Sequence, residues 1–193
     1  MILIDDQIQE YTPEEIARWT DELPEWRRKQ VLAYKNDMGR RQSLLAYRLL
    51  CQGLREEYGI MEQPTFVYNE HGKPSLALPP TGGDGEGLYF SLSHCKEGVC
   101  CAISDRPVGI DIESANRKIS DSVIRYSMNE GEQALIRESD DPQRTFLRLW
   151  TQKEAVLKRL GTGIRDDMRD ILSDYAYTIE VRENERYILS VAW

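Results

Sequence analysis

The chain has 193 residues, 40% of them hydrophobic and 30% charged, which suits one soluble globular domain or two small lobes sharing a core. A net charge of −8 disfavours general nucleic-acid binding, which needs a basic footprint. Apolar runs are too short for a membrane span, and the start MILIDDQIQE lacks the basic and apolar stretches of a signal peptide, so the cytoplasm is the expected compartment.

In chain order, residues 1–5 predict a strand. Thr12, Pro13 and Glu15 form a helix-start pattern: Thr12 caps, Pro13 suits the first turn, and Glu15 completes a capping box. Pro24 opens a second helix, which Gly39 is expected to interrupt before a longer helix runs to about Tyr58. Between Pro24 and Arg55 lie Arg27, Arg28, Lys29, Lys35, Arg40, Arg41, Arg48 and Arg55 against only Glu25 and Asp37. Such a basic stretch in an acidic chain suggests a local anionic ligand.

Residues 65–68 predict a strand, 69–72 a turn, and the segment PPTGGDGEG (79–87) a loop. Three strand patterns follow, LYFSLS (88–93), GVCCAIS (98–104) and VGIDIE (108–113), with short separators that favour antiparallel hairpins. Helical patterns occupy about 119–127, 130–138 and 142–160, and two strands, YAYTIEV and RYILSVA, close the chain around a turn near Glu183 and Asn184. The order predicts an α+β protein of two packed lobes, residues 1–105 and 106–193. Cys51, Cys95, Cys100 and Cys101 form no CxxC pair and read as reduced thiols; with only His71 and His94 beside them, zinc is poorly supported.

The chemistry concentrates in two segments. In VGIDIE, strand alternation puts Val108, Ile110 and Ile112 on one face and Gly109, Asp111 and Glu113 on the other. Asp111 and Glu113 are then about 6.5–7 Å apart along the backbone, close enough to serve one hard cation such as Mg²⁺. Taken alone, that pattern is more often an exposed acidic face. The segment WTQKEAVLKRLGTGI (150–164) adds weight. Phe146, Leu149, Trp150, Leu157 and Leu160 make an apolar stripe with Lys153 on its line, beside Thr151, Glu154 and Lys158. A lysine on an apolar stripe needs an anion. Gly161 and Gly163 end the helix.

Together these segments resemble the 4′-phosphopantetheinyl transferase superfamily, nearest its larger, surfactin-type members. GKP (72–74), FSLSHC (90–95) and the upstream segment PEWRRKQVLAYKNDMGRRQSLL are similar to further family motifs in the family's order. The resemblance implies two similar α/β lobes related by a pseudo-twofold axis, with the active site between them. It implies Mg²⁺-dependent transfer of the phosphopantetheine arm of coenzyme A to a serine of an apo acyl or peptidyl carrier protein, with release of adenosine 3′,5′-bisphosphate, by a monomer.

By the same resemblance Asp111, Glu113 and Glu154 are metal ligands, and Lys158 contacts phosphate. Lys153 is the cofactor-binding lysine beside the metal glutamate, Ser93 and His94 lie at the coenzyme A phosphates, Gly72, Lys73 and Pro74 beside the adenine, and Lys29 and Arg41 at the 3′-phosphate. Glu132, or its neighbour Glu130, matches a proposed general base; a metal-bound water is the other candidate. Trp26 departs from the family, standing where a basic residue is frequent, which leaves Arg27 or Arg28 to take the 3′-phosphate contacts. Arg117, Lys118, Arg125, Arg159 and Arg165 are candidates for a locally basic carrier-docking surface. A Mg²⁺-dependent phosphohydrolase and a non-catalytic coenzyme A or carrier-binding module are the alternative readings.

Overall fold

The computed structural model describes residues 1–77, 87–163, 168–173 and 177–193. The chain is α+β. Its first half carries strand β1 (Ile2–Asp5), helices α1 (Pro13–Asp21), α2 (Glu25–Leu32) and α3 (Asp37–Tyr58), a hairpin of β2 (Phe66–Tyr68) and β3 (Pro74–Leu76), then β4 (Tyr89–Cys95) and β5 (Gly98–Ser104). The second half carries β6 (Gly109–Ser114), helices α4 (Asp121–Ser127), α5 (Glu130–Glu138) and α6 (Pro142–Leu160), a 3₁₀ turn at Met168–Asp170, then β7 (Ile179–Glu183) and β8 (Tyr187–Ala192). The sheets are antiparallel, ordered β1-β5-β4 and β6-β8-β7. In each, the strand before the helices pairs with the last strand of its half. The predicted loop at 79–87 lies, apart from Gly87, outside the described residues, as does Arg165.

Local sequence chemistry sets the helix ends. Thr12 accepts from the Glu15 backbone N–H while the Glu15 carboxylate takes the Thr12 N–H at 2.8 Å, the reciprocal box expected. Gly39 does not interrupt a helix. Asn36 caps α3 by accepting from the Gly39 N–H at 2.7 Å, so Gly39 lies in the first turn of a new helix. A Cβ there would come within 2.8 Å of the Tyr34 ring.

The separator between β5 and β6 does not make a hairpin either. β5 is the central strand of its sheet, with β1 and β4 on its two edges, so no edge is left for β6. β6 instead enters the second sheet, pairing Asp111 with Ser190 of β8. It still runs beside β4, because the Ser91 and Ser93 hydroxyls accept from the backbone N–H groups of Ile110 (3.1 Å) and Ile112 (3.4 Å). Side chains thus replace a ladder between the two sheets.

β6 is covered on both faces. Ile110 and Ile112 join Cys100, Ala102, Leu189 and Val191 in a core between the sheets. The opposite face lies under α6, and a Cβ on Gly109 would meet the Ala155 carbonyl oxygen at 1.9 Å and the Arg159 nitrogen at 2.4 Å. Only glycine allows that approach, which brings Asp111 against the helix carrying Glu154 and Lys158. Among the described residues no helix is long and apolar enough to cross a membrane.

Candidate active site

The site grows from the contact of β4, β6 and α6. Asp111 on β6 is 5% exposed, and its Oδ1 accepts from the Ser93 hydroxyl at 2.8 Å and the Lys158 ammonium at 2.7 Å. Lys158 also donates to the Ser93 oxygen at 2.7 Å, so β4, β6 and α6 meet at three polar side chains. Burial works against the Lys158 charge, but the Asp111 carboxylate outweighs it and raises the lysine's pKa.

Two further carboxylates adjoin Asp111. Burial, and then repulsion from Asp111, push Glu113 up to about 7, despite the Arg117 guanidinium and the Trp150 indole N–H (3.1 Å) that hold it. The same two causes raise Glu154, with Lys158 opposing. The buried Oδ2 of Asp111 and the buried Oε1 of Glu154 have no hydrogen-bond partner among the described residues. Buried polar atoms are rarely left so, and two mutually repelling carboxylates with unused oxygens are what a hard cation neutralises.

The three carboxylates do not, as they stand, surround one point: among the described residues no group of three His, Cys, Asp or Glu is placed to hold a metal ion. The physical reason is the counter-cations. Lys158 occupies one oxygen of Asp111, and Arg117 draws Glu113 towards the Trp150 ring, over which its guanidinium lies at 5.0 Å. The unused oxygens of Asp111 and Glu154 nevertheless fit Mg²⁺ chemistry.

A cleft of about 300 Å³ opens beside this cluster. One wall is Gly72, Lys73 and Pro74; the other is Glu154, Leu157 and Lys158, with Ser91 and Leu92 among the remaining lining residues. Gly72 has φ +81°, which closes the predicted turn. Burial, then the Arg159 guanidinium, lower the Lys73 pKa, and its ammonium donates to the Arg159 carbonyl at 3.1 Å. His94 reaches solvent near the end of β4, yet enough protein surrounds its ring that desolvation, and then the Lys158 ammonium, lower its pKa.

The structure does not bring every predicted residue here. Lys153 is fully buried on the other side of α6, pairs with Glu132 at 2.8 Å, and donates to the carbonyls of Met168 (3.1 Å) and Arg169. Its anion is thus Glu132 rather than a phosphate. Glu132 also accepts from the Asn129 N–H at 2.9 Å in the capping box of α5, so its carboxylate serves structure where a base was expected. Glu130 lines a separate depression with Arg169 and Asp170. Arg41 donates to the carbonyls of Ile8 and Tyr11, and Lys29 forms an exposed pair with Glu25 at 2.7 Å. Arg27 bonds Ser43 and lies over the Tyr47 ring; Arg28 reaches Asp21 at 3.8 Å.

Residues the sequence did not flag include Ser91, which ties β6 to β4, and Asn69, whose side chain reaches the Gly161 carbonyl at 2.8 Å. The alternation in FSLS was a signal for Ser91, since it puts both serines on one face. The asparagine opening a four-residue turn was a signal for Asn69.

A fold of this order, with an acidic cluster and lysine shared by β6 and α6, defines a class. Residues 107–190 match the model of the 4′-phosphopantetheinyl transferase superfamily. It is similar to the 4′-phosphopantetheinyl transferase psf-1 of Bacillus pumilus, 34% identical over 128 residues that cover 64% of this chain and 52% of the relative. It is also similar to the 4′-phosphopantetheinyl transferase gsp of Aneurinibacillus migulanus, 30% identical over 141 residues (72% and 56%), and to AcpT of Escherichia coli O157:H7, 33% identical over 135 residues (67% and 65%). The chain spans about half the length of the first of these relatives.

Proposed function

We propose that this chain is a Mg²⁺-dependent 4′-phosphopantetheinyl transferase, acting as a monomer of two lobes (1–105 and 106–193), that moves the phosphopantetheine arm of coenzyme A to a serine of an apo carrier protein. The observation that carries the reading is the pair of unpartnered buried oxygens, on Asp111 and Glu154, beside a cleft rimmed by Lys73 and Lys158. Asp111, Glu113 and Glu154 would hold the ion. Bound Mg²⁺ would neutralise diphosphate charge and make the attacked phosphorus more electrophilic.

The chain's own residues supply position and charge. Lys158 is kept protonated by Asp111, so it presents a permanent cation to phosphate oxygens. Lys73, anchored on the end of α6, offers a second, and His94 a hydrogen bond. The carrier serine oxygen bonds to the β-phosphorus of coenzyme A, the bond from that phosphorus to the bridging oxygen breaks, and adenosine 3′,5′-bisphosphate leaves. Since Glu132 is tied to Lys153 and Asn129, we assign the serine proton to solvent in the open cleft.

The test is incubation with apo carrier proteins, coenzyme A and Mg²⁺, followed by mass spectrometry. The expected result is a gain of one phosphopantetheine per carrier. Cleavage of coenzyme A without carrier would favour a phosphohydrolase, and tight coenzyme A binding without turnover a binding module.

A further inference from the structure

The β2–β3 hairpin pairs with neither three-stranded sheet. A two-stranded hairpin is marginal in water by itself; Phe66 and Leu76 pack the base of this one against the first-half core, which leaves its turn to be held where it walls the cleft. α6 has the complementary problem, because the last carbonyls of a helix lack partners within it. Each need is met by the other. Lys73 takes the Arg159 carbonyl at 3.1 Å, and the Asn69 amide nitrogen takes the Gly161 carbonyl at 2.8 Å.

Asn69 works in both directions. Its Oδ1 accepts from the backbone N–H groups of His71 (3.0 Å) and Lys73 (2.8 Å), shaping the turn from which Gly72, Lys73 and Pro74 project. Its Nδ2 binds that turn to the helix. The fit is tight: Gly161 has φ +72°, and a Cβ there would lie 2.9 Å from the Lys73 Cδ and 3.2 Å from the Asn69 Nδ2.

We propose that Asn69 is a positioning residue. Its carboxamide latches the hairpin to the C-terminus of α6 and thereby sets the separation of the two cleft walls, Lys73 on one side and Glu154 and Lys158 on the other. The ligand affected is the coenzyme A of the proposed function, on which this part of the inference rests. Asn69 touches no substrate in this scheme; it acts through Lys73 and through the end of α6.

Asn69→Asp separates latch from turn. The aspartate keeps the oxygen that accepts from residues 71 and 73, but sets a carboxylate oxygen against the Gly161 carbonyl at the negative end of the helix. The expected result is a roughly tenfold rise in KM for coenzyme A with kcat within about twofold, a split that general loss of folded protein would not produce. In the ligand-free protein, backbone amides of residues 157–163 should exchange faster with solvent than in the parent, while the amides of residues 71 and 73 keep their protection. Asn69→Ala should lose protection in both places. An Asn69→Asp protein that matches the parent in exchange, or in KM, overturns the latch and leaves Asn69 a turn residue. If the parent transfers nothing, the proposed function falls, and the exchange comparison still decides the latch.

Discussion

Lys153 and Glu132 meet at 2.8 Å, with the lysine fully buried and the carboxylate nearly so. Next to Glu154 in sequence, Lys153 looks outwards from the site and joins α6 to α5 and to the turn at residues 168–170. Desolvation lowers its pKa and Glu132 restores part of the loss. Removing one partner of a buried pair leaves the other charge stranded, which costs about 3–5 kcal/mol. Lys153→Met should therefore destabilise the protein by about that amount in urea denaturation, and adding Glu132→Gln should recover much of it. A Glu132→Gln protein with native stability and no turnover would return Glu132 to the chemistry.

Glu154→Gln should behave in the opposite way. It removes a buried charge that repels Asp111 and has an unpartnered oxygen. In divalent-free buffer the variant should be more stable than the parent, yet lose at least about 100-fold in turnover. Mg²⁺ should raise the melting temperature of the parent and leave that of the variant unmoved. A variant destabilised in the absence of Mg²⁺, or one that is fully active, contradicts this assignment.

Gly109→Ala tests how the site is assembled. The added methyl would overlap the Ala155 carbonyl, so α6 must lift from β6. The expected cost is about 3 kcal/mol, at the upper end for overpacking, read from the midpoint of urea unfolding. No change in the midpoint would mean that the helix has slack here.

Glu183 provides a pH dependence away from the site. Its carboxylate receives two hydrogen bonds from Arg148 and lies 3.4 Å from Arg144, joining β7 to α6. The Arg148 bonds hold its pKa below the ordinary value. The folded chain therefore binds this proton less readily than the unfolded one. The stabilisation is complete above the unfolded pKa of about 4.3 and is lost as pH falls through the folded value. Because the pair is partly exposed, the effect is at most about 1 kcal/mol. Glu183→Gln should unfold more easily than the parent at neutral pH and match it in acid; a gap that widens in acid contradicts the pairing.

Much of this was legible in the chain, for identifiable reasons. Thr12 with Glu15, and Gly161 after Lys158 and Arg159, are local signals, and both mark helix ends as read. Asp111 and Ile112 alternate because a strand has a period of two. What was not legible depends on which segments meet. The anion for Lys153 comes from α5, and Arg41 is used by carbonyls about thirty residues earlier in the chain. β6 leaves the first sheet because β5 already has two neighbours, which no separator length reveals. The hold of Arg117 on Glu113 likewise depends on where Trp150 packs.

Asp111, Glu113 and Glu154 are proposed to serve one divalent ion. The most direct test of that shared role is titration of Mn²⁺ into the protein with coenzyme A present, followed by electron paramagnetic resonance. One bound ion per chain is expected, with binding sharply weakened by each of Asp111→Asn, Glu113→Gln and Glu154→Gln. Undiminished binding in all three variants would contradict it.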